Sequence, residues 1–356
     1  MQTDLCIVIP AYQPVQALPQ YVRGLRRALD CCVLVVDDGS DGACRPWFDE
    51  AERIPGCRVL RHEHNRGKGA ALKTAFQWLR TQRGLQSIIT ADCDGQHSVR
   101  DVMRVAEQCR ESPGALVLGC RTFGEGTPRR SMVGNRVTAR AMKLLYNIDL
   151  EDTQTGLRGI PASMLEPLCT LRGERYEYEL NMLILAHSLA VPMVKVPIET
   201  LYFDNNAGSH YRPVRDSLRV TGQLLRGLGQ YGLSSVLSAA ADVFVYALLV
   251  KWALAGLPQS ARILCAAVLA RLLSSVVNYA LNRRLPYVQT REIRQTAVRY
   301  YILLTVQLAC SVSGAWLLTA LGVDELAAKW TTDLLLAAGS YQVQLHWVFA
   351  KAGGNS

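Results

Sequence analysis

Two carboxylates separated by a single residue follow a short apolar run. Asp92 and Asp94 lie in the segment TADCDGQH, residues 90–97, directly after Ser87-Ile88-Ile89. Charged side chains at the end of a buried strand are costly unless they meet a cation or water. Mg²⁺ and Mn²⁺ prefer oxygen ligands, and Mg²⁺ typically takes one or two protein carboxylates together with phosphate oxygens. The segment therefore indicates a divalent-metal site that serves a phosphate-bearing ligand.

A second pair of carboxylates and a cluster of glycines and cations accompany this segment. Asp37 and Asp38, in VVDDGS, follow an apolar run, and a carboxylate there can accept hydrogen bonds from a base or a ribose. A plain turn is the alternative interpretation. The stretch 65–69, NRGKG, opens a predicted helix and offers Lys68 for polar or anionic contacts. It is not a Walker loop, because no Ser or Thr follows the lysine.

Short β-branched runs alternate with helical patterns along the first part of the chain. The alternation predicts an α/β domain whose mostly parallel sheet carries helices on both faces. In such open sheets ligands bind at the carboxyl ends of the strands, where the polar clusters fall. The predicted strands cover 5–9, 33–36, 57–62, 85–90 and 114–120, and the predicted helices include 68–82 and 98–111.

The last part of the chain has the composition of membrane helices. Each of four apolar segments is about as long as the roughly 20 residues needed to cross a bilayer. Buried helices of a soluble domain are the alternative. Arginines flank the first segment and fill the loop between the second and third, so the positive-inside rule places both termini in the cytoplasm. The four segments are 231–254, 261–281, 299–321 and 330–350.

The charge distribution favours a lipid surface over nucleic acid. Of the formal net charge of +9, +7 lies from Arg215 onward, in the hydrophobic part of the chain. Residues 212–230 place leucines against arginines and predict a helix lying in the membrane interface; an ordinary surface helix is the alternative. The 11 cysteines include no CxxC pair, so most are expected to be reduced thiols.

Two opposite charges fall near the middle of the first two apolar segments. Asp242 and Arg271 would be expensive at that depth unless they are paired or face a polar cavity. Antiparallel neighbouring helices would bring them to similar depth, which predicts an ion pair. The alternative is that each faces water or headgroups separately.

The motifs in combination resemble a known family. IPAY, VVDDGS, NRGKGAAL, ADCDGQH, GCR, PRRSMVGN, DTQTGLRG and SHYRP occur in the order typical of inverting family 2 glycosyltransferases of the dolichyl-phosphate mannose synthase type, over about residues 4–215. The hydrophobic remainder resembles a GtrA-type four-helix membrane domain, through VVNYALNRRLPYV (276–288) and HWVF (346–349). The pairing is similar to bifunctional family 2/GtrA bacterial proteins.

The resemblance implies a donor site at the carboxyl edge of the sheet. In it, Asp37 contacts the nucleotide, and the carboxylate pair binds Mg²⁺ or Mn²⁺ and the donor diphosphate. The further donor-side residues are Pro10 and Tyr12 lining the base, Asp38 and Lys68 beside them, and Gln96 completing the metal shell around Asp92 and Asp94.

The resemblance also implies an acceptor site. Arg121 and Arg130, with Ser131, would bind the acceptor phosphate, Asp152 would lie near the donor sugar, and Arg212 would clamp phosphate from a mobile loop. A polyprenyl phosphate is already ionised, so its attack needs alignment and charge neutralisation more than a strong base. Arginine suits phosphate through bidentate geometry.

Together these features predict a nucleotide-sugar-binding, Rossmann-like domain of GT-A type over 1–211, an interfacial helix over 212–230 and a four-helix transmembrane domain over 231–356. The expected reaction transfers a hexose from a UDP- or GDP-sugar to polyprenyl phosphate, undecaprenyl phosphate in a bacterium. The expected location is the inner membrane, with a cytoplasmic catalytic domain, no nucleic-acid partner and a possible homo-oligomer.

Two rival functions are open at this point. A processive polysaccharide synthase shares the first motifs but carries a Gln-x-x-Arg-Trp motif, which this sequence lacks. A lipid-sugar transport or scaffold protein with a vestigial catalytic half would lack part of the set Asp92, Asp94 and Arg121, which is present in full.

Overall fold

The computed structural model of the chain describes residues 4–121, 129–199, 213–285 and 292–350. The chain divides into two units. The first comprises Met1–Lys143 with Ile148–Gln223, and the second comprises Leu144–Asn147 with Leu224–Ser356.

A seven-stranded sheet forms the centre of the first unit. Its central strands are buried along almost their whole length, because helices cover both faces and leave no side of the strand to water. The spatial order is β3-β2-β1-β4-β6-β5-β7. The strands are β1 Leu5–Ala11, β2 Cys32–Asp37, β3 Cys57–Arg61, β4 Ser87–Thr90, β5 Leu116–Arg121, β6 Arg158–Pro161 and β7 Met193–Ile198.

The helices of the first unit alternate with its strands along the chain. Helix α4 shows how local sequence begins one: Ser98 Oγ accepts a hydrogen bond from the Asp101 backbone N–H at 3.1 Å and caps the helix. The helices are α1 Leu18–Ala28, α2 Arg45–Glu52, α3 Lys68–Leu79, α4 Val99–Glu111, α5 Arg129–Tyr146, α6 Leu165–Thr170 and α7 Glu177–Ser188.

The predicted α/β fold with a mostly parallel sheet is confirmed, but the sequence prediction missed the strands β6 and β7 and with them the one antiparallel element of the sheet. Strand β6 runs antiparallel to both neighbours, β4 and β5. It is only four residues long, RGIP, and it contains a glycine and a proline, so it carries no strand-like hydrophobic run. Its position matters because it brings the loop before it, residues 151–157, beside the end of β4.

Thiols are mostly free, as expected, with one exception. Cys6 and Cys32 lie opposite each other in register on β1 and β2 and are joined as a disulfide.

The second unit consists of long helices. They are α8 Pro213–Leu248, extended by a π-helical turn at Leu249–Ala253, α9 Gln259–Asn282, α10 Ile293–Ala320 and α11 Glu325–Val343, followed by a π-helical turn at Gln344–Val348. Helix α8 is continuous, so the predicted boundary at residue 230 falls inside a helix. The reason is that no proline interrupts the sequence between Pro213 and Pro258.

By length and composition, three helices of the described residues can cross a membrane: Thr221–Ala253, Ala261–Asn282 and Ile293–Ala320. The fourth predicted segment also forms a helix, α11, but it does not reach the hydropathy of the other three. It has 19 residues and includes Lys329 and Asp333. A fourth crossing therefore stays a prediction.

Side-chain amides and hydroxyls join the four helices of the second unit. We call Ser234, Asn278, Asn282, Tyr300 and Gln344 the amide cluster. Asn282 is fully buried at its centre and contacts Ser234 Oγ, Asn278 Oδ1 at 2.9 Å and Gln344 Oε1 at 3.0 Å. Tyr300 donates to Asn278 Oδ1 at 2.8 Å. Interhelical hydrogen bonds of this kind hold helices together where lipid offers no hydrophobic driving force.

The predicted pair of Asp242 and Arg271 is confirmed, but it is the weaker of two contacts to Asp242. Arg271 Nε lies 3.8 Å from Asp242 Oδ1, whereas Ser274 Oγ donates to the same oxygen at 2.9 Å. The side chain of Arg271 is 71% exposed, against 24% for Asp242. Asp242 is therefore fixed mainly by a neutral hydroxyl on the adjacent helix.

We expect the single and double variants Asp242→Asn and Arg271→Gln to show a coupling of about 0.5–1 kcal/mol in thermal unfolding of the detergent-solubilised protein, because the pair is long and half exposed. The cycle Asp242→Asn with Ser274→Ala should show a larger coupling. Additive losses within about 0.3 kcal/mol for Asp242 and Arg271 would contradict the pair.

Candidate active site

The predicted donor-side residues gather where three parallel strands end. Ala11 of β1 is in register with Asp37 of β2, and Val8 of β1 is in register with Thr90 of β4. The segments that follow these strand ends therefore leave the sheet at the same edge. The Asp92–Asp94 pair follows β4 by two residues, so its backbone belongs to this edge.

Asp92 has a lysine on one side and a histidine on the other. The ammonium of Lys68 lies 2.6 Å from Asp92 Oδ1 and 2.9 Å from Glu179 Oε1, so one cation bridges two carboxylates. On the other side, His97 Nε2 lies 3.3 Å from Asp92 Oδ2. Both Lys68 and Glu179 are largely buried, with side-chain exposures of 18% and 8%. We call Lys68, Asp92 and Glu179 the ion bridge.

A glycine at the start of α3 brings Lys68 to this position. Gly67 has a φ of +105°, and a Cβ there would lie 2.4 Å from the carbonyl oxygen of Glu174. Only glycine fits both the backbone conformation and the space. The helix consequently begins at Lys68, against Glu174 and Arg175, which lead into α7, the helix that carries Glu179.

Asp38 holds the NRGKG loop, residues 65–69, through hydrogen bonds. Its two carboxylate oxygens accept hydrogen bonds from the backbone N–H groups of Arg66 at 2.9 Å and Gly67 at 2.7 Å. They also contact His62 Nδ1 at 2.8 Å and Asn65 Nδ2 at 3.0 Å. With four partners and 3% exposure, Asp38 supports the NRGKG loop. Its predicted nucleotide contact stays a prediction.

The loop before β6 closes around Asp92. A Cβ on Gly156 would lie 2.4 Å from Asp92 Oδ2, so the carboxylate packs directly over the glycine. Two residues on, the guanidinium of Arg158 is fully buried and donates to the carbonyl oxygens of Glu179 at 2.6 Å and Thr155 at 2.9 Å. Arg158 is a second buried cation beside the ion bridge.

The surroundings of Asp92 and Asp94 shift the pKa values of their carboxyl groups in opposite directions. Burial alone raises the pKa of Asp92, but the charge of Lys68, together with the contact to His97, outweighs it, and the net pKa lies well below its usual range. Burial and the charge of Asp92 raise the pKa of Asp94, and none of the cations of the described residues lies as close to Asp94 as Lys68 does to Asp92. Asp94 Oδ1 accepts a hydrogen bond from the Gln96 N–H at 3.0 Å. Asp94 is thus the less neutralised carboxylate.

The predicted acceptor-side residues Arg121 and Asp152 form a bidentate ion pair. Arg121 Nε and Nη2 donate to Asp152 Oδ2 and Oδ1 at 2.7 and 2.9 Å. Asp152 is fully buried and also accepts from the Gln154 N–H. An acceptor phosphate at Arg121 would have to share or replace this partner. The roles predicted for both residues stay predictions.

Asn135 of α5 fixes the loop that carries Asp152. Its Oδ1 accepts from the Thr153 N–H at 3.0 Å and its Nδ2 donates to the Glu151 carbonyl at 2.5 Å. The motifs PRRSMVGN and DTQTGLRG are therefore joined through a buried asparagine that the sequence prediction did not single out.

Some of the remaining predicted residues lie at strand ends, and the others are not among the described residues. Pro10 is the sixth residue of β1, Tyr12 follows that strand, and Asp37 Oδ1 accepts from the Ser40 N–H at 2.9 Å. Arg212 and the side chains of Arg130 and Ser131 lie outside the described residues.

Four residues near the aspartates were not assigned a role from the sequence. Arg158 and Asn135 lie in the quoted motifs DTQTGLRG and PRRSMVGN, and Glu179 lies outside them, but a buried polar side chain has no periodic signal of its own. Tyr21 of α1 is the fourth: its buried hydroxyl has no hydrogen-bond partner among the described residues. Burial and the charges of Asp92 and Asp94 raise the pKa of Tyr21.

The donor set of the aspartate pair fits a hard divalent cation. Carboxylate oxygens are its preferred ligands, and Asp94 is short of compensating charge. The described residues contain no cluster of three or more His, Cys, Asp or Glu able to enclose a metal. Such a site would therefore depend on ligand oxygens and water for the rest of its coordination.

Comparisons with known proteins agree with these features. Residues 6–168 match the sequence model of Glycosyl transferase family 2, and residues 230–349 match that of the GtrA/DPMS transmembrane domain. An undecaprenyl-phosphate mannosyltransferase of Micrococcus luteus is 29% identical over 204 residues, 54% of this chain and 81% of the relative.

Two further proteins match this chain at lower sequence identity. A UDP-N-acetylglucosamine–dolichyl-phosphate N-acetylglucosaminyltransferase of Methanococcus voltae is 28% identical over 218 residues, 55% of this chain and 85% of the relative. A crystal structure of a mycobacterial protein aligns with a TM-score of 0.48 and 18% identity, covering 62% of this chain and 74% of that one.

We expect Gly156→Ala to destabilise the first unit by about 1–3 kcal/mol, because the new methyl group would displace the Asp92 carboxylate from the ion bridge. The matched control is Gly134→Ala in α5, where a Cβ meets nothing within 4 Å. There the substitution should stabilise by about 0.5–1 kcal/mol. Chemical denaturation of both variants measures the difference, and equal effects would contradict the close packing over Gly156.

Proposed function

Because the chain carries a family 2 glycosyltransferase domain and a GtrA/DPMS transmembrane domain, we propose that it transfers a hexose from a nucleotide-sugar to polyprenyl phosphate. The observation that carries the proposal is the Asp92–Asp94 pair at the carboxyl ends of parallel strands in a family 2 domain. The acceptor class comes from relatives whose names specify undecaprenyl and dolichyl phosphate.

The donor would bind along the edge formed by the ends of β1, β2 and β4. Asp37, at the end of β2, would accept hydrogen bonds from the nucleoside, and Pro10 and Tyr12, at the end of the neighbouring strand β1, would line the base. The diphosphate would lie at Asp94. Asp92 cannot turn freely toward a ligand, since Lys68, His97 and Gly156 already define where its oxygens point.

A divalent cation, Mg²⁺ or Mn²⁺, would be held by Asp94 and Asp92 with Gln96 beside them, and when bound it supplies Lewis-acid neutralisation of the departing nucleoside diphosphate. Lys68 and Glu179 keep Asp92 in a single orientation for that purpose. A preorganised carboxylate avoids the reorganisation that a mobile one would require at the moment of reaction.

The acceptor needs alignment rather than deprotonation. A phosphate monoester is ionised at neutral pH, so its oxygen can attack the anomeric carbon in one in-line step, which inverts that carbon. Arg121, anchored by Asp152, would bind the acceptor anion, and Arg130, Ser131 and Arg212 complete the proposed set. Arginine matches phosphate through paired N–H donors.

The second unit would hold the chain in the inner membrane with both termini in the cytoplasm. Arg283 and Arg284 directly follow α9, and Arg294 and Arg299 lie in the first two turns of α10. Positive charges among the described residues of the second unit therefore cluster at the end of α9 and the start of α10. The positive-inside rule assigns that end to the cytoplasm. The same rule places the connection between α10 and α11, with Asp324 and Glu325, on the far side. A homo-oligomer is compatible with this arrangement.

The test is a transfer assay with purified protein, undecaprenyl phosphate and a panel of UDP- and GDP-sugars, with and without Mn²⁺. We expect one donor to give a lipid-linked product whose formation requires the cation, and Asp94→Asn to lower the rate by roughly 100-fold or more, since it removes a ligand worth several kcal/mol in the transition state.

Asp30→Asn is the matched control, because the Asp30 side chain is 88% exposed on the surface of the same unit. It should retain the full rate. Undiminished transfer by the Asp94→Asn variant, or no product with any donor of the panel, would contradict the proposal.

A further inference from the structure

We infer that Glu179 is a positioning residue that lets Lys68 orient Asp92 without cancelling the charge Asp92 needs for a cation. The inference rests on the proposed divalent-cation site and assigns a role to a residue of α7 that lies outside the motifs carrying the family resemblance. It starts from the fact that Lys68 contacts two carboxylates rather than one.

A lysine paired with Asp92 alone would be a competitor for the metal. Its ammonium is within 2.6 Å of the carboxylate oxygen and is buried, so little water would screen its charge. One full positive charge there would offset the whole negative charge of Asp92. With the buried guanidinium of Arg158 counted as well, Lys68, Asp92 and Arg158 would carry a net charge of +1 in the absence of Glu179, which would also offset the attraction of Asp94 for a divalent cation.

Glu179 changes this balance. Its Oε1 lies 2.9 Å from the same ammonium, and its side chain is 8% exposed. The ion bridge therefore carries two negative charges and one positive charge. Arg158 adds a second positive charge through the backbone carbonyl of Glu179, at 2.6 Å. The net charge of Lys68, Asp92, Glu179 and Arg158 is therefore zero. Among the described residues of the site, the negative charge of Asp94 is then the one left to attract a cation.

The geometry also shows why a lysine is needed at all. Asp92 packs over Gly156 and faces His97, and its side chain is 30% exposed, so an unpaired carboxylate there would be only partly solvated and less stable in the absence of ligand. Lys68 stabilises Asp92 in the free chain, and Glu179 keeps Lys68 in place with part of its charge satisfied elsewhere. The arrangement allows Asp92 to be both ordered and attractive to a cation.

This role predicts effects of opposite sign on two ligands. Replacing Glu179 by glutamine keeps the shape and one oxygen but makes the site more positive by one charge. Binding of Mn²⁺ alone, followed by electron paramagnetic resonance, should weaken by about tenfold or more. Binding of UDP or GDP in EDTA, followed by calorimetry, should stay equal or tighten, because the diphosphate is an anion. A merely structural role would weaken both.

Two variants serve as controls. Glu177→Gln removes a carboxylate two residues earlier in the same helix, whose Oε1 caps the backbone N–H of Glu174 at 3.1 Å and has no contact with Lys68. It should leave Mn²⁺ affinity unchanged. Glu179→Asp retains the charge with a shorter reach and should bind Mn²⁺ closer to the wild type than Glu179→Gln does, even if both lower the melting temperature.

The outcomes separate this inference from the proposed function. If the wild type binds Mn²⁺ and Glu179→Gln binds it as tightly as Glu177→Gln does, the role of Glu179 is wrong while the cation site stands. If Glu179→Gln weakens Mn²⁺ and nucleotide binding together, Glu179 is structural only. If the wild type binds no Mn²⁺ with or without nucleotide, the proposed cation site fails and this inference fails with it.

Discussion

The candidate site depends on one buried electrostatic contact, the bridge that Lys68 makes between Asp92 and Glu179. A buried carboxylate without a partner is unstable, and a buried pair that loses one member typically costs about 3–5 kcal/mol. The ion bridge therefore determines which conformations of the surrounding loops are possible. Gly67 begins α3 so that Lys68 can reach inward, and Gly156 leaves room for the carboxylate that Lys68 holds.

The sheet topology explains why these residues meet. Lys68 follows β3, Asp92 follows β4, and Arg158 opens β6, which pairs antiparallel with β4 in a register that sets Thr90 opposite Arg158. Because β6 is antiparallel to β4, it begins at the edge of the sheet where β4 ends. The loop 151–157, which contains Asp152, therefore lies beside Asp92. A fully parallel sheet would have placed the start of that strand at the opposite edge.

Sequence reasoning predicted the strands of the parallel part closely, because β-branched runs bounded by polar clusters are a strong signal. It also predicted that Asp92 and Asp94 stand at a strand end, and that Asp242 pairs with Arg271. It did not find β6, whose four residues carry no hydrophobic pattern, or β7, which is interrupted by Pro197. It also missed Glu179 and Arg158, whose importance comes from contacts distant in sequence. Nor could it show that Arg121 and Asp152, read as separate contacts, are partners of each other.

The central claim is that Lys68 holds Asp92 in place beside Asp94 while the pair receives a cation with the donor diphosphate. An anomalous difference map from crystals grown with Mn²⁺ and UDP or GDP tests it most directly. The account predicts a manganese peak shared by Asp92 and Asp94, with the ammonium of Lys68 still in contact with Asp92 and Glu179. A peak remote from both aspartates, or a Lys68 released from Asp92 when the ligand binds, would contradict it.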